Sequence, residues 1–172
     1  IASSKKVSNK MFTERLSRLF NRCSRIKELR CCMWGYLDND DPLEIIKNSL
    51  RNVIVEKFTI KFASERHQHK FASTLLRIVK QNDIRQIHIV NSDIDQFLHE
   101  RLLFQLNQVA QHVALFQIDA NNRGPSTGLR SSWQAAVNLI NNRTEISTIL
   151  KENAQGQLSI VINGTKSTKN VS

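Results

Sequence analysis

The chain has 172 residues, 40% of them hydrophobic and 23% charged, which suits one folded domain or a piece of a repeat array rather than a disordered tract. No run approaches the roughly 18 apolar residues that a membrane-spanning helix needs, and five Gly and two Pro leave little material for a phosphate-cradling loop or a turn-rich β-sandwich. The formal net charge of +10 permits an acidic partner without demanding one.

In chain order, residues 1–10 read as a basic, flexible lead-in. A helix follows with Phe12, Leu16, Leu19 and Phe20 on one side. Beside that apolar face, Arg15, Arg18, Arg22 and, if the helix reaches so far, Arg25 form a narrow basic stripe. Residues 1–30 carry Lys5, Lys6, Lys10, Arg15, Arg18, Arg22, Arg25, Lys27 and Arg30 against Glu14 and Glu28, so most of the net charge sits here. The stripe suits a nucleic-acid backbone or simply a solvated outer helix. Ile26, Leu29 and Cys31 then read as a strand. Cys23, Cys31 and Cys32 are an odd set with two neighbours, which is no disulfide framework and points to a reducing cytoplasmic or nuclear compartment.

Asp41-Pro42-Leu43-Glu44 opens a second helix with Leu43, Ile46 and Leu50 on its face. Val55, Phe58 and Ile60 form the next strand. A third helix carries Phe71, Leu75, Ile78 and Val79, followed by a strand with Ile84, Ile87 and Ile89. A fourth helix, capped from Ser92 or Asp93, carries Leu98, Leu102, Leu106 and Val109 before a strand with Val113, Phe116 and Ile118. Asp119 to Arg130 reads as a loop. Trp133, Val137 and Ile140 give one helix face, Ile146, Ile149 and Leu150 another, and Leu158, Ile160 and Ile162 a final strand.

The four strand patterns repeat. The first apolar sites fall at 26, 55, 84 and 113, the second at 29, 58, 87 and 116, and the third at 31, 60, 89 and 118, a constant step of 29. Twelve apolar residues in register have a raw probability of about one in 10⁵ at this composition. One strand and one helix per 29 residues describe an α/β chain that coils right-handedly. Neither face of a single unit can be buried alone, so neighbours must stack. The expected fold is a β–α solenoid over 11–130, with parallel strands on one face and helices on the other. Residues 131–164 would cap its C-terminal end, and 165–172 would form a disordered tail.

This period, and the apolar-x-x-apolar-x-apolar core, resemble leucine-rich repeats of the long, ribonuclease-inhibitor-like class. The stretch Leu19-Phe20-Asn21-Arg22-Cys23-Ser24-Arg25-Ile26-Lys27-Glu28-Leu29 is similar to a junction common in F-box proteins with such repeats. The resemblance covers about residues 10–121. It departs from the family at the Asn position, which holds Trp34, Ala63, Ser92 and Asn121. It implies a non-enzymatic interaction module, and in the F-box case substrate recognition for a ubiquitin ligase.

In a parallel coil, residues alternating with the inward sites point onto the open face of the sheet. Glu28, Lys57, Gln86 and Leu115 make one row, Arg30, Thr59, His88 and Gln117 the next, and Cys32, Lys61, Val90 and Asp119 a third. The expected protein-binding set is Arg30, Lys57, Thr59, Lys61, Gln86, His88, Gln117 and Asp119, with Arg30, Lys57, Lys61 and His88 as a mainly basic patch for an acidic protein. Nucleic acid is the second choice of partner. No membrane or small-molecule substrate is expected. His67-Gln68-His69 is a weak metal motif, because residues two apart on a helix point about 200° away from each other. No nucleophile elbow or phosphate fingerprint follows any strand, so no catalytic residue, metal or cofactor is expected, and a small α/β enzyme is the last of the three readings.

Overall fold

The computed structural model describes residues 9–33, 42–50, 53–62, 68–92, 100–120 and 127–165. Its elements alternate for most of the chain: α1 (Asn9–Phe20), β1 (Arg25–Met33), α2 (Pro42–Ser49), β2 (Ile54–Phe62), α3 (Gln68–Gln81), β3 (Asp83–Ser92), α4 (Glu100–Ala110), β4 (Leu115–Ala120), α5 (Thr127–Arg143), β5 (Thr148–Glu152) and β6 (Leu158–Asn163). The six strands form one open sheet in the order β1-β2-β3-β4-β6-β5. This is an α/β fold with a mixed sheet: β1 to β4 run parallel, and β6 and β5 are antiparallel additions.

The 29-residue step is the register of the parallel half. Leu29 lies opposite Phe58, Phe58 opposite Ile87, and Ile87 opposite Phe116. One row along, Cys31, Ile60, Ile89 and Ile118 pair in the same way. Phe58, Ile60, Ile87, Ile89, Phe116 and Ile118 are all buried, whereas Leu29 and Cys31 are only half-buried because β1 is an edge. The register slips once: between Ile89 and Ser92, two residues of β3 face one of β4, so Val90 and Asp119 are not strictly opposite.

The helices touch one another in chain order, and their apolar stripes join the inward strand rows in a single core. Leu43 and Ile46 of α2 and Leu50 just after it are buried, and so are Phe71, Leu75, Ile78 and Val79 of α3, as their spacing requires. Pro42 stands at the first position of α2, where a missing N–H costs nothing. On α4 the buried apolar residues, among those described, are Leu103, Leu106, Val109 and Ala110; Leu103 was not part of the expected stripe.

Several expected boundaries need correction. α1 starts at Asn9, inside the expected lead-in, and ends at Phe20, so Arg25 belongs to β1 and not to a helical stripe. Leu19 is 57% exposed rather than packed, because Leu16 and Phe20 already occupy the side of α1 that meets the core. Ser92 ends β3 instead of capping a helix, and α5 begins at Thr127, inside the expected loop. Phe12 and Leu102 lie on helices, but their side chains, like all of Asp93, Leu98, 1–8 and 166–172, fall outside the described residues.

The largest correction is at the C-terminal end, where Thr148–Glu152 is a strand and not a helix. The Ile146/Ile149/Leu150 spacing fits a helix, but a hairpin competes and wins. Asn153 accepts hydrogen bonds at Oδ1 from the backbone N–H groups of Gln155 and Gln157, at 3.0 and 2.9 Å. Gly156 supplies the positive φ of 75° that a tight three-residue loop demands. Asn141 on α5 then clasps the strand start, donating to the Thr148 carbonyl at 2.8 Å and accepting from its N–H at 2.9 Å. β6 returns between β4 and β5, with Ile160 and Ile162 buried beside Ile118 and Phe116.

Beyond β6, the Gly164 N–H donates to the Ala114 carbonyl at 3.1 Å, and Thr165 Oγ1 donates to the Gln111 carbonyl at 2.8 Å, so Thr165 is anchored where a disordered tail was expected. A Cβ on Gly164 would collide with the backbone oxygens of Val113 and Ala110. Gly164→Ala should therefore destabilise the domain by about 1–3 kcal/mol in urea denaturation, because backbone must yield. Phe58→Ala should cost about 3–5 kcal/mol and Ile87→Ala about 2–5 in the same assay. A midpoint unchanged in either core variant would mean that the inward register is wrong.

Candidate functional site

The face of the sheet opposite the core carries the alternating side chains, and the register sets them in rows. Glu28 lies opposite Lys57 and Lys57 opposite Gln86; Arg30 lies opposite Thr59, Thr59 opposite His88, and His88 opposite Gln117. Cys32, Lys61 and Val90 form the third row. Adjacent strands are about 4.8 Å apart, so every side chain in a row can touch its neighbours. Arg30, Lys61 and Gln86 are exposed, Lys57, His88, Gln117 and Asp119 are half-buried, and Thr59 is buried. All eight expected binding residues lie on this face.

Their electrostatics differ from a single basic patch. Two carboxylates organise the face. Glu28 accepts from Arg30 Nη2 at 2.9 Å through one oxygen and from Thr59 Oγ1 at 2.9 Å through the other. Lys57 Nζ stands 3.9 Å from that second oxygen. The Arg30 hydrogen bond foremost, then that from Thr59, holds the Glu28 carboxyl below its usual range, and the same bond raises the Arg30 guanidinium.

The second centre is Asp119. Oδ2 lies 2.7 Å from His88 Nε2, while Oδ1 accepts from Gln117 Nε2 and Ser159 Oγ, each at 2.8 Å. Burial acts to raise the Asp119 pKa. The bonds from His88, Gln117 and Ser159, with the attraction of His88, outweigh it and hold the carboxyl below its usual value. An ionised carboxylate at this distance requires the proton on His88 Nε2, which leaves Nδ1 as the ring's other polar atom.

Three cations (Arg30, Lys57, Lys61) thus meet two anions (Glu28, Asp119) on one face, and Lys61 is the cation with no ion pair among the described residues. The sequence rows included Glu28 without a role. They missed Ser159 altogether, because only the hairpin reversal brings β6 beside β4.

The second expected site loses one of its four members. Arg15 and Arg18 are exposed on α1 and Arg22 follows it, but Arg25 sits on β1 and pairs with Glu56 at 2.9 Å. Cys23, Cys31 and Cys32 take part in no disulfide, with Cys31 against the core and Cys32 exposed on the open face. Among the described residues no group of three His, Cys, Asp or Glu side chains could hold a metal, and no helix is long and apolar enough to cross a membrane. His67 lies outside the described residues. No family model, curated protein or solved structure matches the chain.

The Asp119 cluster fixes a pH dependence. A carboxyl whose folded pKa is depressed contributes stability that is fully present above its unfolded value, near 3.8, and is lost as the pH falls through the lower folded value. Asp119→Asn should cost about 1–3 kcal/mol at pH 6, since three donors lose their charged acceptor. The difference from the parent should shrink steadily below pH 3.8 in urea titrations. A difference that stays constant into acid would show that the carboxylate is not the stabilising form.

Proposed function

We propose that the chain is a non-enzymatic interaction module of leucine-rich-repeat-like β–α solenoid type that binds a protein partner through the open face of its sheet. The observation that carries this reading is the mainly polar surface across β1 to β4, interrupted by Leu115 and Val90 and held in rows by a 29-residue register that slips once beyond Ile89, on the side of the sheet away from the core. Stacked β–α units are built to present such extended surfaces. Residues 131–164 fit the role of a cap, since α5, β5 and β6 complete the core beyond β4. A substrate-recognition part in a ubiquitin-ligase adaptor is the specific form that the F-box-like junction at Leu19 to Leu29 suggests. Three cysteines that form no disulfide fit a cytoplasmic or nuclear setting.

The expected partner carries acidic groups in a pattern and not as a plain negative field. Glu28 and Asp119 already engage Arg30 and His88, so a partner carboxylate is drawn to Lys61 and to the outer side of Lys57 and Arg30. Such pairing sets orientation and association rate more than affinity. No reaction, metal or cofactor enters this reading.

The test compares the proteins that co-purify with the parent and with two double variants. Lys57→Glu with Lys61→Glu should remove a defined partner set. The new carboxylate facing Glu28 should cost at most about 1 kcal/mol of stability. Arg15→Glu with Arg18→Glu should leave that set intact. If the helix pair is needed and the sheet pair is silent, the open-face reading fails.

A further inference from the structure

α1 presents two unlike faces. Leu16 and Phe20 turn to the core, whereas Met11, Arg15, Arg18, Leu19 and Arg22 fall within about 100° of arc on the other side. Hydrogen bonds from Asn21 N to the Ser17 carbonyl and from Arg22 N to the Leu19 carbonyl carry the helical path as far as Arg22. Met11 and Leu19 are 45% and 57% exposed, the two most exposed large apolar side chains among the described residues. Arg15, Arg18 and Arg22 make no ion pair among the described residues, and Glu14 is the single acid at the margin of the stripe. Lys10 adds a cation to the same helix, and Lys5 and Lys6 lie just upstream in sequence.

Two features must be satisfied at once: unpaired guanidiniums and exposed hydrocarbon among them. A nucleic-acid backbone would take the arginines but leave Met11 and Leu19 in water, and no aromatic side chain among the described residues of this face offers a base a stacking platform. The boundary of an anionic bilayer takes both, with lipid phosphates and carboxylates accepting from arginine and the acyl region receiving the apolar side chains. We propose that the outer face of α1 docks the domain on an anionic lipid surface. Because the opposite side of α1 faces the core, docking would turn the open sheet face away from the lipid and leave it free for a partner. The proposal is independent of what that sheet face binds.

Each basic residue near an anionic surface is worth about fivefold in partitioning, so three give on the order of a hundredfold. The experiment sediments the full chain with vesicles of phosphatidylcholine alone or with added phosphatidylserine. The expected result is binding at least about tenfold stronger with phosphatidylserine, weakening as salt is raised. Arg15→Gln with Arg18→Gln should reduce it about 25-fold, and Leu19→Asn about tenfold, with unchanged circular dichroism. Binding indifferent to phosphatidylserine, or unaffected by the arginine pair, would overturn the proposal. So would a silent Leu19→Asn together with salt-sensitive binding of oligouridylate through the same arginines, which would assign the stripe to nucleic acid.

Discussion

Parallel strands cannot be joined by tight turns, so each pair needs a crossover, and the length of that crossover decides which side chains meet. Here the crossover and strand together return every 29 residues, which lays Phe58 against Ile87 and Ile87 against Phe116. A slip of one residue would exchange the two faces of the sheet, moving Lys57 and His88 into the core and the apolar rows into water. The placement of every polar residue on the open face depends on this register. The buried strand rows and the helix stripes enforce it together, since both must fit one core.

The open face follows from the same constraint. Rows of alternating side chains stand about 4.8 Å apart, close enough for carboxylates to reach across strands. Glu28 ties β1 to β2 through Thr59, and Asp119 ties β3 and β4 to β6 through His88 and Ser159. The second tie crosses the junction where the parallel half meets the antiparallel hairpin. The residues proposed for recognition therefore also hold strands of the sheet together, and acid that neutralises Asp119 loosens the junction.

The parallel half was legible from sequence because its signal is redundant: three apolar positions recur in four strands, and the facing rows follow by alternation. The C-terminal end was not. Ile146, Ile149 and Leu150 satisfy helical spacing, and only the loop chemistry of Asn153 and Gly156, with the clasp from Asn141, makes them precede a hairpin. Asn153 and Gly156 stand at a spacing that could have signalled the turn. The role of Ser159 needs strand order, which periodicity does not carry. Likewise the exposure of Leu19 depends on how α1 sits against its neighbours, and a helical wheel cannot decide which edge of an apolar arc is left in solvent.

The central claim, that recognition falls on the face of the sheet turned away from the helices, is most directly tested by lysine footprinting. The full chain would be treated with an amine-reactive reagent, free and then with a captured partner bound, and each lysine read by mass spectrometry. Lys57 and Lys61 on β2 should lose reactivity in the complex, while Lys10 on α1 and Lys80 on α3 keep theirs. Protection of Lys10 and Lys80 with Lys57 and Lys61 unchanged would place the partner on the helix layer and contradict the account.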